Sequence, residues 1–263
     1  MAEGAPARIT IADRIADVVL DHPPVNAFDS NGWHALARAF RELSNRADIN
    51  VVVLSAAGRG FCAGVDIKEL ALDSKLITKV NRGCYDTFAA ILDSKIPVIS
   101  AVHGFCLGGG IGMIGSCDII VASEDATFGL PEIDRGALGA ASHLLRMFPI
   151  QKVRKMLLTG EPITAAEAHR LGAVESVVPR DQLMPAARKI AESIASKSPK
   201  AVRLAKESLD GIEVFDVKKS YRFEQGFTLE LYTSPDSQEA RDAFVEKRDA
   251  RFDESASGKD KKG

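Results

Sequence analysis

The sequence predicts an α/β fold whose carboxyl-terminal region is helical. In the first half of the chain, β-branched apolar segments such as Val51–Ser55 and Val98–Val102 alternate with amphipathic segments. This alternation is typical of a parallel sheet covered by helices. Beyond about residue 140 strand signals become sparse and helical patterns follow one another. The 263 residues are enough for one large domain with a sizeable core.

The first elements are indicated by local periodicity. Ile9–Ala12 and Asp17–Asp21 alternate apolar and polar residues, which predicts a hairpin. A helix is expected next, with Asp29 or Ser30 as its cap. Its apolar residues recur at helical spacing, at Trp33, Leu36, Ala37, Phe40 and Leu43. A helix near Thr78–Leu92 and a strand over Asp118–Ala122 continue the alternation.

Helix signals dominate the second half. Thr164-Ala-Ala-Glu167 has the pattern of a capping box, and Gly172 is expected to end that helix. Residues 1–7 and the polar, Lys-rich segment 254–263 are expected to be disordered tails. Further helices are predicted over Asp181–Ser196, Lys200–Asp210, Lys219–Leu231 and Gln238–Arg251.

Composition excludes several classes of function. With 34 basic and 36 acidic residues, the net charge of −2 favours neither nucleic acid nor an anionic membrane as partner. No apolar run approaches the roughly 20 residues that span a bilayer, and no signal peptide is indicated. The four cysteines form no CxxC pair and no metal-like spacing. We therefore expect no metal, reduced thiols and a cytoplasmic location.

Two glycine-containing turns carry the functional signal. In Ala101–Met113 an apolar strand leads into Gly108-Gly109-Gly110 and then into an apolar helix. Glycine permits close approach of a ligand, and amides at a helix start can donate to a developing negative oxygen. Gly60–Lys68, after the strand Val51–Ser55, could bring a second amide to the same point. A glycine run alone could equally be a packing turn, but two such motifs in this order favour an oxyanion hole.

These two turns resemble those of the crotonase (enoyl-CoA hydratase/isomerase) superfamily. The resemblance implies that the amides of Val65 and Gly109 polarise the thioester of an acyl-CoA substrate. It also implies a crotonase-like ββα spiral core over residues 8–195 and a helical region over 196–253 that serves trimerisation or acts as a lid. The resemblance further implies trimers, or hexamers built from trimers. It implies no cofactor beyond the coenzyme A that is part of the substrate.

The same resemblance identifies the catalytic positions. Hydratases of the family use two glutamates, and the first falls here on Gly112. The second falls on Glu132, within Phe128-Gly-Leu-Pro-Glu132. Asp134 is either a second acid or a surface group that is solvated or paired with Arg135. Dienoyl-CoA isomerases carry an aspartate where this chain has Ala140, which argues against their chemistry.

Substrate contacts are also implied. Gly112 and Ala140 are expected to shape the acyl pocket, and His143 either contacts a polar group of the substrate or packs internally. Phe244 is expected against the acyl chain and Lys247 near the CoA phosphates, unless their helix is a plain surface helix. Two segments are expected to bind CoA, through Val25, Ala27, Ala63, Asp66, Ile67 and Lys68.

In detail the chain is most similar to one branch of the family. Arg135–Ala140 and Ser220–Phe227 look like the corresponding segments of hydrolases that open a ring of a bicyclic oxo-acyl-CoA in bacterial steroid breakdown. On this interpretation Gly112 leaves room for a rigid bicycle. Two alternatives stay open: an enoyl-CoA isomerase or hydratase that uses a single glutamate, and a non-catalytic acyl-CoA-binding protein.

Overall fold

The computed structural model describes residues 6–67, 69 and 74–251. Its main sheet has six strands in the order β1-β2-β4-β6-β8-β11. A three-stranded sheet, β10-β9-β7, and a two-stranded sheet, β3-β5, lie beside it. The strands are β1 (Ala7–Ala12), β2 (Ile15–Leu20), β3 (Ala27–Phe28), β4 (Val51–Ala56), β5 (Gly64–Val65), β6 (Val98–Val102), β7 (Phe105–Leu107), β8 (Ile119–Ser123), β9 (Thr127–Gly129), β10 (Ile163–Thr164) and β11 (Ser176–Val178).

Helices follow most of the strands and fill the carboxyl-terminal third. Short 3-10 turns occupy Ser74–Leu76, Pro131–Arg135 and Arg180–Gln182. The α-helices are α1 (Ser30–Ser44), α2 (Ile77–Leu92), α3 (Gly109–Ile114), α4 (Ala141–Met147), α5 (Ile150–Thr159), α6 (Ala165–Arg170), α7 (Leu183–Ala195), α8 (Pro199–Ile212), α9 (Val217–Tyr232) and α10 (Pro235–Glu246).

The predicted α/β class is confirmed. β1 and β2 form the predicted antiparallel hairpin, and the remaining strands of the main sheet run parallel. β1 begins at Ala7, inside the range 1–7 that was expected to be disordered, and residues 1–5 and 252–263 lie outside the described residues. The last helix ends at Glu246, before the predicted Arg251, because Lys247 takes a left-handed conformation (φ 55°).

Capping and periodicity explain α1 as the sequence predicts. Asp29 is the cap, and its Oδ1 accepts from the Gly32 amide at 2.7 Å. Trp33 and Phe40, on the predicted apolar face, are buried. α1 packs against α2 and covers one face of the main sheet. The opposite face carries α7, whose small residues Ala187 and Ala191 let the helix approach the strands closely.

The small sheets bring the two glycine turns together. The Leu107 amide donates to the Cys62 carbonyl at 2.9 Å, so the segment before α3 is hydrogen-bonded to the segment before β5. Gly64 has φ +91°, and a Cβ there would lie 2.9 Å from the Gly109 nitrogen. Only glycine satisfies both the dihedral angle and the contact.

Asn26 fixes the loop that precedes β5. Its buried Nδ2 lies within hydrogen-bond distance of the carbonyls of Ala57, Gly60 and Phe61, at 3.0, 3.3 and 3.1 Å. Its Oδ1 accepts from the His22 amide at 2.7 Å. One amide side chain therefore connects two loops on which the placement of β5 depends.

In the described part of the chain, no helix is long and apolar enough to cross a membrane.

We predict that Asn26→Asp lowers the free energy of unfolding by at least about 2 kcal/mol, because a carboxylate would face buried carbonyl groups that have lost their donor. Asn45→Asp is the matched control, since Asn45 is exposed and its Oδ1 already accepts from Lys95 Nζ at 2.8 Å. Urea unfolding of both variants measures the difference. Equal stabilities would show that Asn26 does not hold these loops.

Candidate active site

A cavity of about 430 Å³ lies between the α/β core and the carboxyl-terminal helices. Val65, Gly109 and Glu132 contribute to its wall from the core side. Tyr221 from α9 and Phe244 from α10 contribute from the other side. The cavity therefore joins both glycine turns to the predicted catalytic carboxylate.

The Val65 and Gly109 amides suit an oxyanion hole. The Asp66 amide donates to the Phe28 carbonyl at 2.9 Å, and successive amides of a strand point to opposite sides, so the Val65 N–H points away from β3. Gly109 is the first residue of α3, and its amide has no acceptor one turn earlier in the helix. The contact of Gly64 with the Gly109 nitrogen keeps the two turns together.

Gly109 is also required by packing. A Cβ at this position would lie 2.6 Å from the Trp33 ring, which supports the start of α3 from behind. Any side chain at position 109 would push α3 away from α1 or displace the indole. The packing interpretation of the glycine run and the catalytic one are therefore compatible at this residue.

Glu132 lies in the 3-10 turn Pro131–Arg135, with its carboxylate beside Gly108. A Cβ on Gly108 would collide with Glu132 Oε1, so this glycine makes room for the carboxylate. Glu132 Oε2 is buried and accepts no hydrogen bond from the described residues. Burial raises the pKa of Glu132 to about 7, against an ordinary value of 4.5. The group can both accept and return a proton near neutral pH.

Asp134 does not join this site. Its side chain is exposed and lies beside Gly160, where a Cβ would be 2.6 Å from Asp134 Oδ2. It is absent from the cavity wall. The geometry therefore favours the surface alternative over a second acid.

The interpretation of Gly112 as open space for substrate is wrong. A Cβ on Gly112 would collide with the Phe88 ring, which fills the volume in front of this glycine. Phe88, not Gly112, forms part of the cavity wall. The sequence could not show that the ring of Phe88, from a distant helix, occupies the space in front of Gly112.

His143 packs internally and does not face the cavity. It is buried, with its ring 4.9 Å from Phe88 and 5.0 Å from Tyr221 between ring centroids. Burial lowers the pKa of His143 to about 3, so the imidazole is neutral at physiological pH. The expected contact with a polar substrate group is replaced by aromatic packing, because Phe88 and Tyr221 lie between the imidazole and the cavity.

Ala140 lines the cavity, at the start of α4, as expected. It has φ 57°, and the turn around it is held by Glu224 of α9. The Glu224 carboxylate accepts from the Ala141 and Ser142 amides at 2.8 and 2.9 Å and from Ser142 Oγ at 2.7 Å. Sequence reasoning missed Glu224, because nothing in a helical pattern shows that a carboxylate caps another helix 83 residues away.

The expected CoA-binding segment is only partly on the cavity wall. Ala63 and Ile67 line the cavity, whereas Val25, Ala27 and Asp66 do not. Val25 lies in the turn before β3, Ala27 lies in β3 and Asp66 directly follows β5. Val25 and Ala27 support this segment through the backbone, since Val25 accepts from the Ala63 amide at 3.1 Å and Ala27 pairs with Gly64. Lys68 lies outside the described residues. Contacts of this segment with CoA stay predictions.

The two residues predicted on the last helix differ in position. Phe244 lines the cavity, as the resemblance implies for a side chain against the acyl group. Lys247 ends α10, is exposed and lies outside the cavity wall. Its contact with the CoA phosphates stays a prediction.

The cavity also contains a thiol. Cys84 of α2 contributes to the wall. Burial raises the pKa of this thiol well above its ordinary value, so the sulfur is protonated at neutral pH. Cys84 therefore packs as a small apolar residue and offers no thiolate for nucleophilic attack.

Comparison with known proteins settles the class. Residues 10–255 match the family described as Enoyl-CoA hydratase/isomerase. The chain therefore belongs to the enoyl-CoA hydratase/isomerase, or crotonase, family, as the two glycine turns predict.

Two curated relatives carry more specific names than the family as a whole. The chain is 51% identical over 239 residues to a (7aS)-7a-methyl-1,5-dioxo-2,3,5,6,7,7a-hexahydro-1H-indene-carboxyl-CoA hydrolase of Rhodococcus jostii, covering 90% of this chain and 93% of the relative. It is 49% identical to the protein of the same name from Mycobacterium tuberculosis, covering 89% and 95%. The crystal structure of an enoyl-CoA hydratase/isomerase from Pseudoalteromonas atlantica superposes with a TM-score of 0.85 at 28% identity, covering 94% of this chain and all of that one.

We predict that Glu132→Gln stabilises the protein at high pH but not at low pH. Between pH 4.5 and about 7 the unfolded state loses the Glu132 proton while the folded state keeps it, so wild-type stability falls across this window. Glutamine carries no such cost. The variant should gain up to about 3 kcal/mol at pH 8 and almost nothing at pH 4.5.

Thermal unfolding at both pH values measures this effect, with Asp134→Asn as the exposed-carboxylate control. A stability difference between Glu132→Gln and wild type that does not change with pH would contradict the raised pKa of Glu132.

We predict that Gly112→Glu destabilises the fold by at least about 2 kcal/mol, because the new side chain must displace the buried Phe88 ring. Adding Phe88→Ala should recover part of that loss by vacating the space. Gly211→Glu, at a helical position with open space around it, is the control and should change stability little. If Gly112→Glu unfolds at the wild-type temperature, Phe88 is not the obstacle.

Proposed function

We propose that this protein hydrolyses a carbon–carbon bond in the ring of a cyclic oxo-acyl-CoA, in steroid or lipid catabolism. The observation that carries the proposal is a single buried carboxylate, Glu132, on the same cavity wall as the Val65 and Gly109 amides. The names of the relatives from Rhodococcus jostii and Mycobacterium tuberculosis specify a hydrolase of a bicyclic dioxo acyl-CoA. Family resemblance and site chemistry thus point to the same reaction.

The site residues supply each proton and charge that this reaction needs. Ionised Glu132 takes a proton from water, whose oxygen bonds to the ring ketone carbon. The ring carbon–carbon bond then breaks, and its electron pair passes through conjugation to the thioester oxygen. The Val65 and Gly109 amides stabilise this enolate. Glu132 returns its proton to carbon, and the product carries a new carboxylate.

The reaction needs no metal or redox cofactor, since water is the co-reactant and coenzyme A arrives with the substrate. The net change is addition of one water across one carbon–carbon bond. No electron enters or leaves, and the proton that Glu132 accepts is the proton it gives back.

Phe88 supports hydrolysis over hydration. Family hydratases hold water between two glutamates, and here the Phe88 ring fills the space in front of Gly112. The second carboxylate is replaced by an apolar wall. A flat aromatic surface suits a rigid bicyclic acyl group, which presents apolar faces.

A second candidate function is enoyl-CoA isomerisation. One carboxylate with a pKa of about 7 is enough to move a proton between two carbons of an enolate. Incubation with a bicyclic oxo-acyl-CoA, a 3-enoyl-CoA and crotonyl-CoA in ¹⁸O-labelled water distinguishes the candidate functions. Label in a new carboxylate supports hydrolysis, double-bond migration supports isomerisation, and binding without turnover supports an acyl-CoA-binding protein.

We also propose a homotrimer, or a hexamer built from trimers, in the cytoplasm. Leu204, Leu209 and Ile212 of α8 expose large apolar side chains, which a partner subunit would cover. The four cysteines are free and buried, which suits a reducing compartment. Light scattering of the purified protein would test the number of subunits.

We predict that Glu132→Gln lowers kcat for ring opening by about 10²–10⁴-fold while acyl-CoA affinity stays within a few fold, because only the proton-transfer group is lost. Wild-type kcat should rise with pH through about 7 as Glu132 ionises. Asp134→Asn is the control and should keep most of the activity, since Asp134 is outside the cavity. Label incorporation and product mass measure both variants. Near-normal turnover of the Glu132→Gln variant would show that Glu132 takes no part in the mechanism.

A further inference from the structure

Arg135 presents a cation to the cavity without an ion-pair partner within contact distance in the described part of the chain. Its side chain is half-buried, lines the cavity and makes no hydrogen bond or ion pair with any described residue. Its guanidinium lies 4.6 Å from the centroid of the Phe244 ring. A second arginine on the wall, Arg241, is instead engaged: it donates to Ser237 Oγ and to Gln238 Oε1.

Arg135 and Glu132 lie on the same side of their 3-10 turn. Side chains three residues apart are eclipsed in a 3-10 helix, and both residues belong to the turn Pro131–Arg135. Asp134, between them in sequence, faces outward beside Gly160. The positive charge of Arg135 also partly opposes the rise that burial produces in the pKa of Glu132. The base and the cation therefore serve the same part of the cavity.

Ring hydrolysis creates a second negative oxygen that the oxyanion hole does not reach. When the water oxygen bonds to the ring ketone carbon, the carbonyl electron pair moves onto the ketone oxygen. When the ring bond breaks, that pair returns and the carbon becomes a carboxyl group, which ionises. Both charges develop where Glu132 delivers water, whereas the Val65 and Gly109 amides serve the thioester oxygen. Hydration and isomerisation of an enoyl-CoA produce no such charge.

We propose that Arg135 is a further catalytic residue, which binds the oxygen of the attacked ring ketone and then the carboxylate that ring opening produces. This inference rests on the proposed hydrolytic function. Arg135 remains a guanidinium throughout and transfers no proton, while Glu132 carries the proton from water to carbon. The cation–π contact with Phe244 positions the guanidinium without using its N–H groups, which no described protein acceptor engages.

Binding of two acyl-CoA probes tests the anion site without any turnover. Adipoyl-CoA and hexanoyl-CoA have the same chain length and differ in a terminal carboxylate. Arg135→Met keeps an apolar contact with Phe244 and removes the charge. Calorimetry should show adipoyl-CoA affinity falling about tenfold or more in Arg135→Met, because a charge-assisted hydrogen bond is lost, with hexanoyl-CoA affinity within threefold of wild type. Arg135→Lys should lose less.

Two outcomes would overturn the proposal. An equal loss of affinity for both probes would mean that Arg135 binds the CoA phosphates, and no loss for either would mean that it binds no anion. Arg241→Met is the matched cavity variant, and it should affect both probes alike because its guanidinium is already engaged. A selective loss of adipoyl-CoA in Arg241→Met, with none in Arg135→Met, would place the anion site at Arg241.

Steady-state kinetics with a bicyclic oxo-acyl-CoA as substrate test the catalytic role of Arg135. Arg135→Met should lower kcat by about 10²-fold, the typical effect of removing one oxyanion donor, with partial rescue in Arg135→Lys. If wild type does not open the ring but binds adipoyl-CoA through Arg135, the proposed function fails and the carboxylate site stands. If wild type opens the ring and Arg135→Met retains wild-type kcat, the catalytic role of Arg135 fails and the function stands.

Discussion

The contact between two backbone turns is the constraint on which the rest of the site depends. β5 and the start of α3 meet so closely that Gly64 has no room for a side chain against the Gly109 nitrogen. Trp33 supports Gly109 from behind, and Asn26 fixes the loop that leads to β5. These contacts are made by main-chain atoms and buried polar groups, so the amides of the two turns are preorganised before any ligand binds. Such preorganisation is the main source of electrostatic stabilisation in acyl-transfer and enolate chemistry.

Negative charge in the proposed reaction develops at two places in the cavity, and different groups stabilise it at each. In the proposed reaction the Val65 and Gly109 amides act on the thioester end of the acyl group, while Glu132 and Arg135 share one side of the 3-10 turn. Glu132 loses solvation on burial, which brings its pKa to about 7 and makes it both a base and an acid. Phe88 fills the space in front of Gly112, where the family resemblance implies the second glutamate of hydratases, and it contributes an apolar surface to the cavity wall. The chemistry is thereby restricted to reactions that a single carboxylate can complete.

The carboxyl-terminal helices complete the site. α9 fixes the turn before α4 through Glu224, whose carboxylate accepts the first amides of that helix. The same helix contributes Tyr221 to the cavity wall, and α10 contributes Phe244, whose ring makes a cation–π contact with Arg135. Closure of the cavity is therefore coupled to the packing of elements that carry no catalytic carboxylate themselves. A change in these helices is expected to alter the acyl pocket without touching the amide pair.

The sequence by itself determined the α/β class, the amphipathic helix α1 and the two glycine turns, because each depends on residues close together in the chain. It left Asp29 and Ser30 open as the cap of α1, and the structure decides for Asp29. Through the family resemblance it also indicated Glu132 as the catalytic carboxylate, which stays a prediction. Family membership followed from the same turns. The tertiary structure alone decided that Phe88 fills the space at Gly112, that His143 packs behind Phe88 and Tyr221, and that Asp134 faces outward while Arg135 faces the cavity. These facts depend on how elements far apart in sequence pack against one another. A sequence motif records which groups are available, but only packing determines which of them share a solvent-excluded space.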